Sequence, residues 1–160
     1  MVKLVVLRHA KAATVPGLPD QDRPLTPRGV RDAGRAGEAL KERGVVPDLV
    51  VCSPSTRTRQ TAEHALAEFA PEARLDFERD IYNAYVEELF ALLRRTAPEV
   101  GTLLLIGHNP GVHELIMSVT GVEDDEAFKP GSFAIVEADS AWADLAPGDG
   151  RETARWRPHT

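Results

Sequence analysis

Arg8 and His9 stand side by side where a short apolar run, Val2 to Leu7, gives way to polar sequence. A guanidinium beside an imidazole suits a nucleophile next to an oxyanion clamp. Two later segments repeat the pattern of chemistry after an apolar run. Leu49-Val50-Val51-Cys52 is followed by Ser53-Pro54-Ser55-Thr56-Arg57, and Thr102-Leu103-Leu104-Leu105-Ile106 by Gly107-His108-Asn109-Pro110. Two Arg and two His form a set suited to a phosphoryl group. Arg forks bind phosphate oxygens in pairs, and a positioned imidazole serves as nucleophile or donor.

Those residues converge only if the runs are neighbouring parallel strands. Each run is short and rich in Val, Leu and Ile, as buried strands are. Between them lie helical patterns. Thr26 caps a helix that opens with Pro27 and runs to about Arg43, with Gly44 as its stop. Further helices are expected over about 56–69, 86–96 and 112–119. Arg74 to Phe77 reads as a minor strand, Ser132 to Glu137 as a later one, and 142–145 has no clear type. Pro147-Gly148-Asp149-Gly150 is a turn before a final segment around Arg155-Trp156. Strands alternating with helices imply an α/β sandwich with a largely parallel sheet. In such a sheet ligands bind at the carboxyl ends of the strands, where all three polar segments fall.

Composition narrows the classes. The 160 residues, 42% hydrophobic and 28% charged, suit one globular domain spanning 1–160, and no tract divides them. A net charge of -6 argues against nucleic acid and anionic membranes as partners. No apolar stretch is long enough to span a bilayer. The single cysteine, Cys52, rules out an internal disulfide and fits a reducing compartment, so a cytoplasmic location is expected. Composition leaves the oligomeric state open.

Competing chemistries fail on spacing. The interval from Cys52 to Arg57 is one residue short of the cysteine phosphatase loop, and His108 and His113 miss the helical zinc spacing. There is no Walker A, G-x-G-x-x-G or G-x-S-x-G motif. The run Glu123 to Glu126 reads as a solvated acidic loop, and His64, His113 and His159 as structural or surface residues.

The chain resembles the histidine phosphatase superfamily, and within it the small SixA-like phosphohistidine phosphatases. Arg8-His9-Ala10 matches the first motif, Ser53-Pro54 with Arg57 and Gln60-Thr61-Ala62 the second, and Gly107-His108-Asn109-Pro110 the third. Asp22-Arg23-Pro24-Leu25-Thr26 with Gly29 is typical of the SixA-like branch. The resemblance implies a phosphoglycerate mutase-like, three-layer α/β/α sandwich and phosphatase activity without metal or other cofactor. It assigns His9 as the nucleophile that becomes phosphohistidine, Arg8, Arg57 and His108 as the phosphate pocket, and Arg23 as a further phosphate contact.

Other branches carry a mid-chain acid that protonates the leaving group. The corresponding stretch here, Glu78 to Tyr85, does not match it. Asp20, in the loop after the nucleophile, is the expected general acid, because that loop can reach over the pocket. A phosphohistidine leaving group needs little acid, which favours phosphohistidine of a signalling protein as substrate. The alternatives are a small phosphometabolite such as a sugar phosphate, or a catalytically weak phosphate-binding module. Inorganic phosphate is the expected product.

Overall fold

The structure, a computed structural model, describes residues 1–159. Its strands are β1 (Val2–Arg8), β2 (Leu49–Cys52), β3 (Leu75–Phe77), β4 (Thr102–Gly107), β5 (Phe133–Ala138) and β6 (Gly150–Trp156). They form one sheet in the order β3-β2-β4-β1-β5-β6. The first four are mutually parallel, while β5 pairs antiparallel with β1 and β6 antiparallel with β5 at the edge.

Helices α1 (Pro27–Glu42) and α2 (Thr56–Phe69) cover one face, and α3 (Val86–Arg94) and α4 (Gly111–Thr120) the other. Strand periodicity divides the core between them. Val5, Leu7, Leu104 and Ile106 pack with α1 and α2, whereas Leu4, Val6, Leu103 and Leu105 pack with α3 and α4. Burial on both faces is why β1 and β4 read as unbroken apolar runs.

Local signals set the helix ends. The Thr26 hydroxyl accepts from the Gly29 N–H at 3.0 Å, Pro27 opens α1, and Gly44 beyond its end is left-handed at φ +70°. Gly29 is also a point of close approach. A Cβ there would lie 2.2 Å from the Lys11 carbonyl oxygen, so only glycine lets α1 press against the chain leaving β1.

The last third departs from expectation. Residues 142–144 form a 3-10 turn whose Trp142 is buried and donates its indole N–H to the Val100 carbonyl at 2.6 Å. Strand β6 begins at Gly150, inside the expected turn. It is an edge strand with Arg151, Glu152 and Thr153 exposed, so it lacks the apolar run that marks a buried strand and is defined by its ladder to β5. Among the described residues, no helix is long and apolar enough to cross a membrane.

Candidate active site

The three polar segments meet at one edge because backbone pairing continues past the strands. The His9 N–H donates to the Gly107 carbonyl at 3.0 Å, and the Ser53 N–H to the Ile106 carbonyl at 3.1 Å. Helix α2 ties the group together. Thr61 Oγ1 accepts from the Ala10 N–H at 3.0 Å, and Gln60 Oε1 accepts from the Leu25 N–H at 2.7 Å. Gln60 and Thr61 of the second motif thus hold the two ends of the loop that follows His9.

His9 is 8% exposed. Its Nδ1 lies 2.7 Å from the Ala10 carbonyl oxygen. A carbonyl only accepts, so Nδ1 carries the proton and Nε2 keeps its lone pair. Burial pushes the imidazole down to about 4, and the charges of Arg8, Arg57 and Arg23 act in the same direction. The ring is therefore neutral at physiological pH, with one basic nitrogen. The sequence alone points to the cations; the larger cause is desolvation.

The second imidazole, His108, has its ring centre 5.4 Å from that of His9. Its Nε2 pairs with Ser53 Oγ at 2.7 Å. Burial, followed by His9 and Arg57, pushes His108 down to about 3. Ser53 Oγ already accepts from the Ser55 N–H at 3.5 Å, so its own proton is left for His108 Nε2 and the ring proton of neutral His108 is assigned to Nδ1. Among the described residues, four buried side-chain N or O atoms have no protein partner: Arg8 Nε, Arg57 Nε, His108 Nδ1 and Asn109 Oδ1. Three of the four are N–H donors, and each comes from a different motif. A buried donor left unpaired costs about 1–3 kcal/mol. Three together describe a place for an acceptor with several oxygens.

The guanidiniums are steered by backbone. Arg8 Nη1 donates to the Phe128 carbonyl at 3.0 Å, and burial together with the proximity of Arg57 lowers the pKa of Arg8. Arg57, 4% exposed on the first turn of α2, donates Nη1 to the Asp20 carbonyl at 2.8 Å and Nη2 to the Asp20 carboxylate at 3.0 Å.

Asp20 does reach the pocket, on a 3-10 turn spanning Asp20–Asp22. Three donors hold its carboxylate there. The Tyr82 hydroxyl donates to Asp20 Oδ2 at 2.5 Å, Arg57 to the same oxygen, and Arg23 Nε to Oδ1 at 3.1 Å. The Tyr82 bond first, then Arg57 and Arg23, hold the carboxyl down at about 2. In the free pocket Asp20 is therefore an ionised partner of Arg57. Arg23 is brought to the rim, where it also donates Nη1 to the Ala13 carbonyl at 3.1 Å.

Tyr82 is the residue that sequence reasoning missed. It lies just beyond the carboxyl end of β3, its ring edge-on to His108 at 5.3 Å. Its only signal is a position inside Glu78 to Tyr85, a stretch that draws attention for its carboxylates rather than its hydroxyls. Glu123, Asp125 and Glu126 are exposed, as a solvated acidic loop should be, but Asp124 is drawn in, paired with His113 Nε2 at 3.0 Å and with Arg155, which makes His113 a structural residue. Among the described residues, no group of three His, Cys, Asp or Glu side chains is arranged to hold a metal.

A six-stranded sheet with two motif histidines at the carboxyl ends of β1 and β4 and a buried arginine on the first turn of α2 defines a class. The chain belongs to the histidine phosphatase superfamily (branch 1), whose family model matches residues 4–81, the span holding Arg8, His9 and Arg57. Its fold is phosphoglycerate mutase-like. An uncharacterized protein of Mycobacterium tuberculosis (strain CDC 1551 / Oshkosh) is 34% identical over 151 residues, covering 89% of this chain and 93% of the relative. Among solved structures, a putative phosphohistidine phosphatase SixA from Nakamurella multipartitia superimposes with a TM-score of 0.87 at 29% identity, covering 99% of this chain and 97% of the other. The putative phosphohistidine phosphatase SixA from Agrobacterium tumefaciens gives a TM-score of 0.86 at 27% identity, covering 98% of each chain.

Proposed function

We propose that this protein is a metal-independent phosphatase that works through phosphohistidine at His9, with phosphohistidine of a signalling protein as its substrate. One observation carries the reading. A neutral imidazole with its lone pair on Nε2 sits among buried N–H donors from Arg8, Arg57 and His108 that have no protein partner.

In the first step Nε2 attacks phosphorus and the bond to the leaving atom breaks, its electron pair departing with the leaving group. The new positive charge on the His9 ring is shared with the Ala10 carbonyl through Nδ1–H. Arg8, Arg57 and His108 stabilise charge on the phosphoryl oxygens, the principal task in phosphoryl transfer. Water then attacks phosphorus, and the P–N bond breaks with its electron pair returning to Nε2. Both protons of the water leave with the product as dihydrogen phosphate, and His9 is again neutral.

The charge state of Asp20 supports the substrate class. A sugar phosphate leaves as an alkoxide and needs a proton from the enzyme, and the free pocket holds Asp20 ionised rather than protonated. A phosphorylated imidazole protonated on its free nitrogen leaves neutral and needs none.

The test begins with an aryl phosphate, whose leaving group is good. Hydrolysis is expected in EDTA and is expected to vanish in His9→Ala; a His9→Ala variant with full activity overturns the mechanism. Next, kcat/KM on a phosphohistidine protein is compared with a panel of sugar phosphates. A higher value on a sugar phosphate overturns the substrate assignment. Tungstate binding without turnover of any phosphoester or phosphoramidate reduces the chain to a phosphate-binding module.

A further inference from the structure

One backbone oxygen serves two motifs. The Phe128 carbonyl accepts from Arg8 Nη1 at 3.0 Å and from Asn109 Nδ2 at 3.0 Å. Phe128 belongs to the long connection between α4 and β5, a kind of segment that holds a precise position only when something fixes it. Its ring, 2% exposed, is held by two side chains. The His113 imidazole stacks on it with centroids 5.7 Å apart and planes tilted by 23°, and the Arg155 guanidinium lies 5.4 Å from its centroid.

Those two grips are themselves joined. Asp124 Oδ2 accepts from His113 Nε2 at 3.0 Å and from Arg155 Nη1 at 2.5 Å. Asp124 lies in the same connection as Phe128, His113 on the first turn of α4, and Arg155 on β6, where Glu152 holds it at 2.6 Å and 2.9 Å. His113, and next Arg155, keep the Asp124 carboxyl down at about 2, so it is ionised and both bonds are charge-assisted.

We infer that Asp124, His113 and Arg155 are positioning residues for phosphoryl binding: they clamp the Phe128 ring so that its carbonyl holds the Arg8 guanidinium in place. The inference rests on Arg8 being a phosphate ligand, as proposed above. Ordinary loop packing would make the same ring contacts without making them felt at Arg8. The two roles separate in a measurement at the pocket.

Inhibition by tungstate, an oxyanion with phosphate-like geometry, is measured against hydrolysis of an aryl phosphate. In Asp124→Ala, both the inhibition constant for tungstate and KM rise about tenfold, the scale of one weakened charge-assisted hydrogen bond. The conservative Asp124→Asn, which keeps an acceptor for both donors, restores most of the loss. In an Arg8→Ala background, Asp124→Ala changes the inhibition constant by less than about twofold, because the group it positions is gone. If Asp124→Ala does not fold, Phe128→Leu keeps the carbonyl and removes the gripped ring, with the same rise expected.

An unchanged inhibition constant in a folded variant, or an equal rise with and without Arg8, overturns the clamp and leaves the phosphatase reading intact. Absence of both turnover and tungstate binding in the wild type overturns the phosphatase reading and the clamp with it.

Discussion

Replacing Asp20 with asparagine tests whether the free pocket is occupied by an internal anion. Asp20 engages Arg57 twice, through its carbonyl and its carboxylate, so an incoming oxyanion must take at least the carboxylate's place on Nη2. The strength of the hold can be bounded. Its carboxyl is lowered from an ordinary 3.8 to about 2, with Tyr82 as the largest cause. At about 1.4 kcal/mol per decade this is at most roughly 2.5 kcal/mol in favour of the seated anion. The Asp20 side chain is 51% exposed, so water screens the charge and about 1 kcal/mol is the realistic figure. The Asp20→Asn substitution keeps the shape and the acceptor while removing the charge. Tungstate should then inhibit aryl phosphate hydrolysis about fivefold more tightly, with kcat on this good leaving group held within about twofold. Unchanged or weaker inhibition refutes the idea of a competing carboxylate. A collapse of kcat that deepens as the leaving group becomes more basic would show instead that Asp20 delivers a proton, as the sequence suggested.

The remaining predictions concern the nucleophile and its supports. His9, depressed from 6.5 to about 4, stays neutral as pH falls, so the acid limb of kcat/KM should lie near 4 after correction for substrate ionisation; a limb near 6.5 contradicts the buried setting. The unfolded chain protonates both imidazoles near 6.5, while the native one resists until about 4 at His9 and about 3 at His108. Stability should therefore fall as pH drops from 6.5 through that window, by about 3 kcal/mol from His9 alone, read as a declining denaturation midpoint. Thr61→Val leaves the buried Ala10 N–H without its acceptor, at a cost of about 1–3 kcal/mol. Calorimetry should show a Tm lower by roughly 3–10 °C, and kcat should fall with it because Ala10 also holds His9; wild-type values for both refute the role of Thr61.

What the sequence made legible follows from what burial writes into it. β1 and β4 are covered on both faces, so their apolar runs stand out, and the polar residues at their ends are easily found. Arg57 is a charged residue almost wholly buried at the start of a helix, which only the motif made visible. Three parts were not legible, each for a physical reason. Strand β6 has no apolar run to reveal it. Tyr82 reaches the pocket across 62 residues of sequence to touch Asp20, a separation no local pattern encodes. The ionisation of Asp20 depends on three donors from three parts of the chain, so its position was readable and its proton was not.

Arg57, Gln60 and Thr61 occupy little more than a single turn of α2, and each is fastened to a different part of the site: Asp20, the loop at Leu25, and the nucleophile's neighbour Ala10. A helix turn is among the stiffest rulers a protein owns, since its rise and rotation are fixed by backbone hydrogen bonds. The distance from the phosphate clamp to the nucleophile's anchor is thereby set by helix geometry and insulated from drift in the surrounding loops. Sequence change in those loops can alter what enters the pocket while the spacing of its reacting groups stays constant. One residue inserted between Arg57 and Thr61 would turn the clamp by about 100° and uncouple it from His9, whatever else the chain retained.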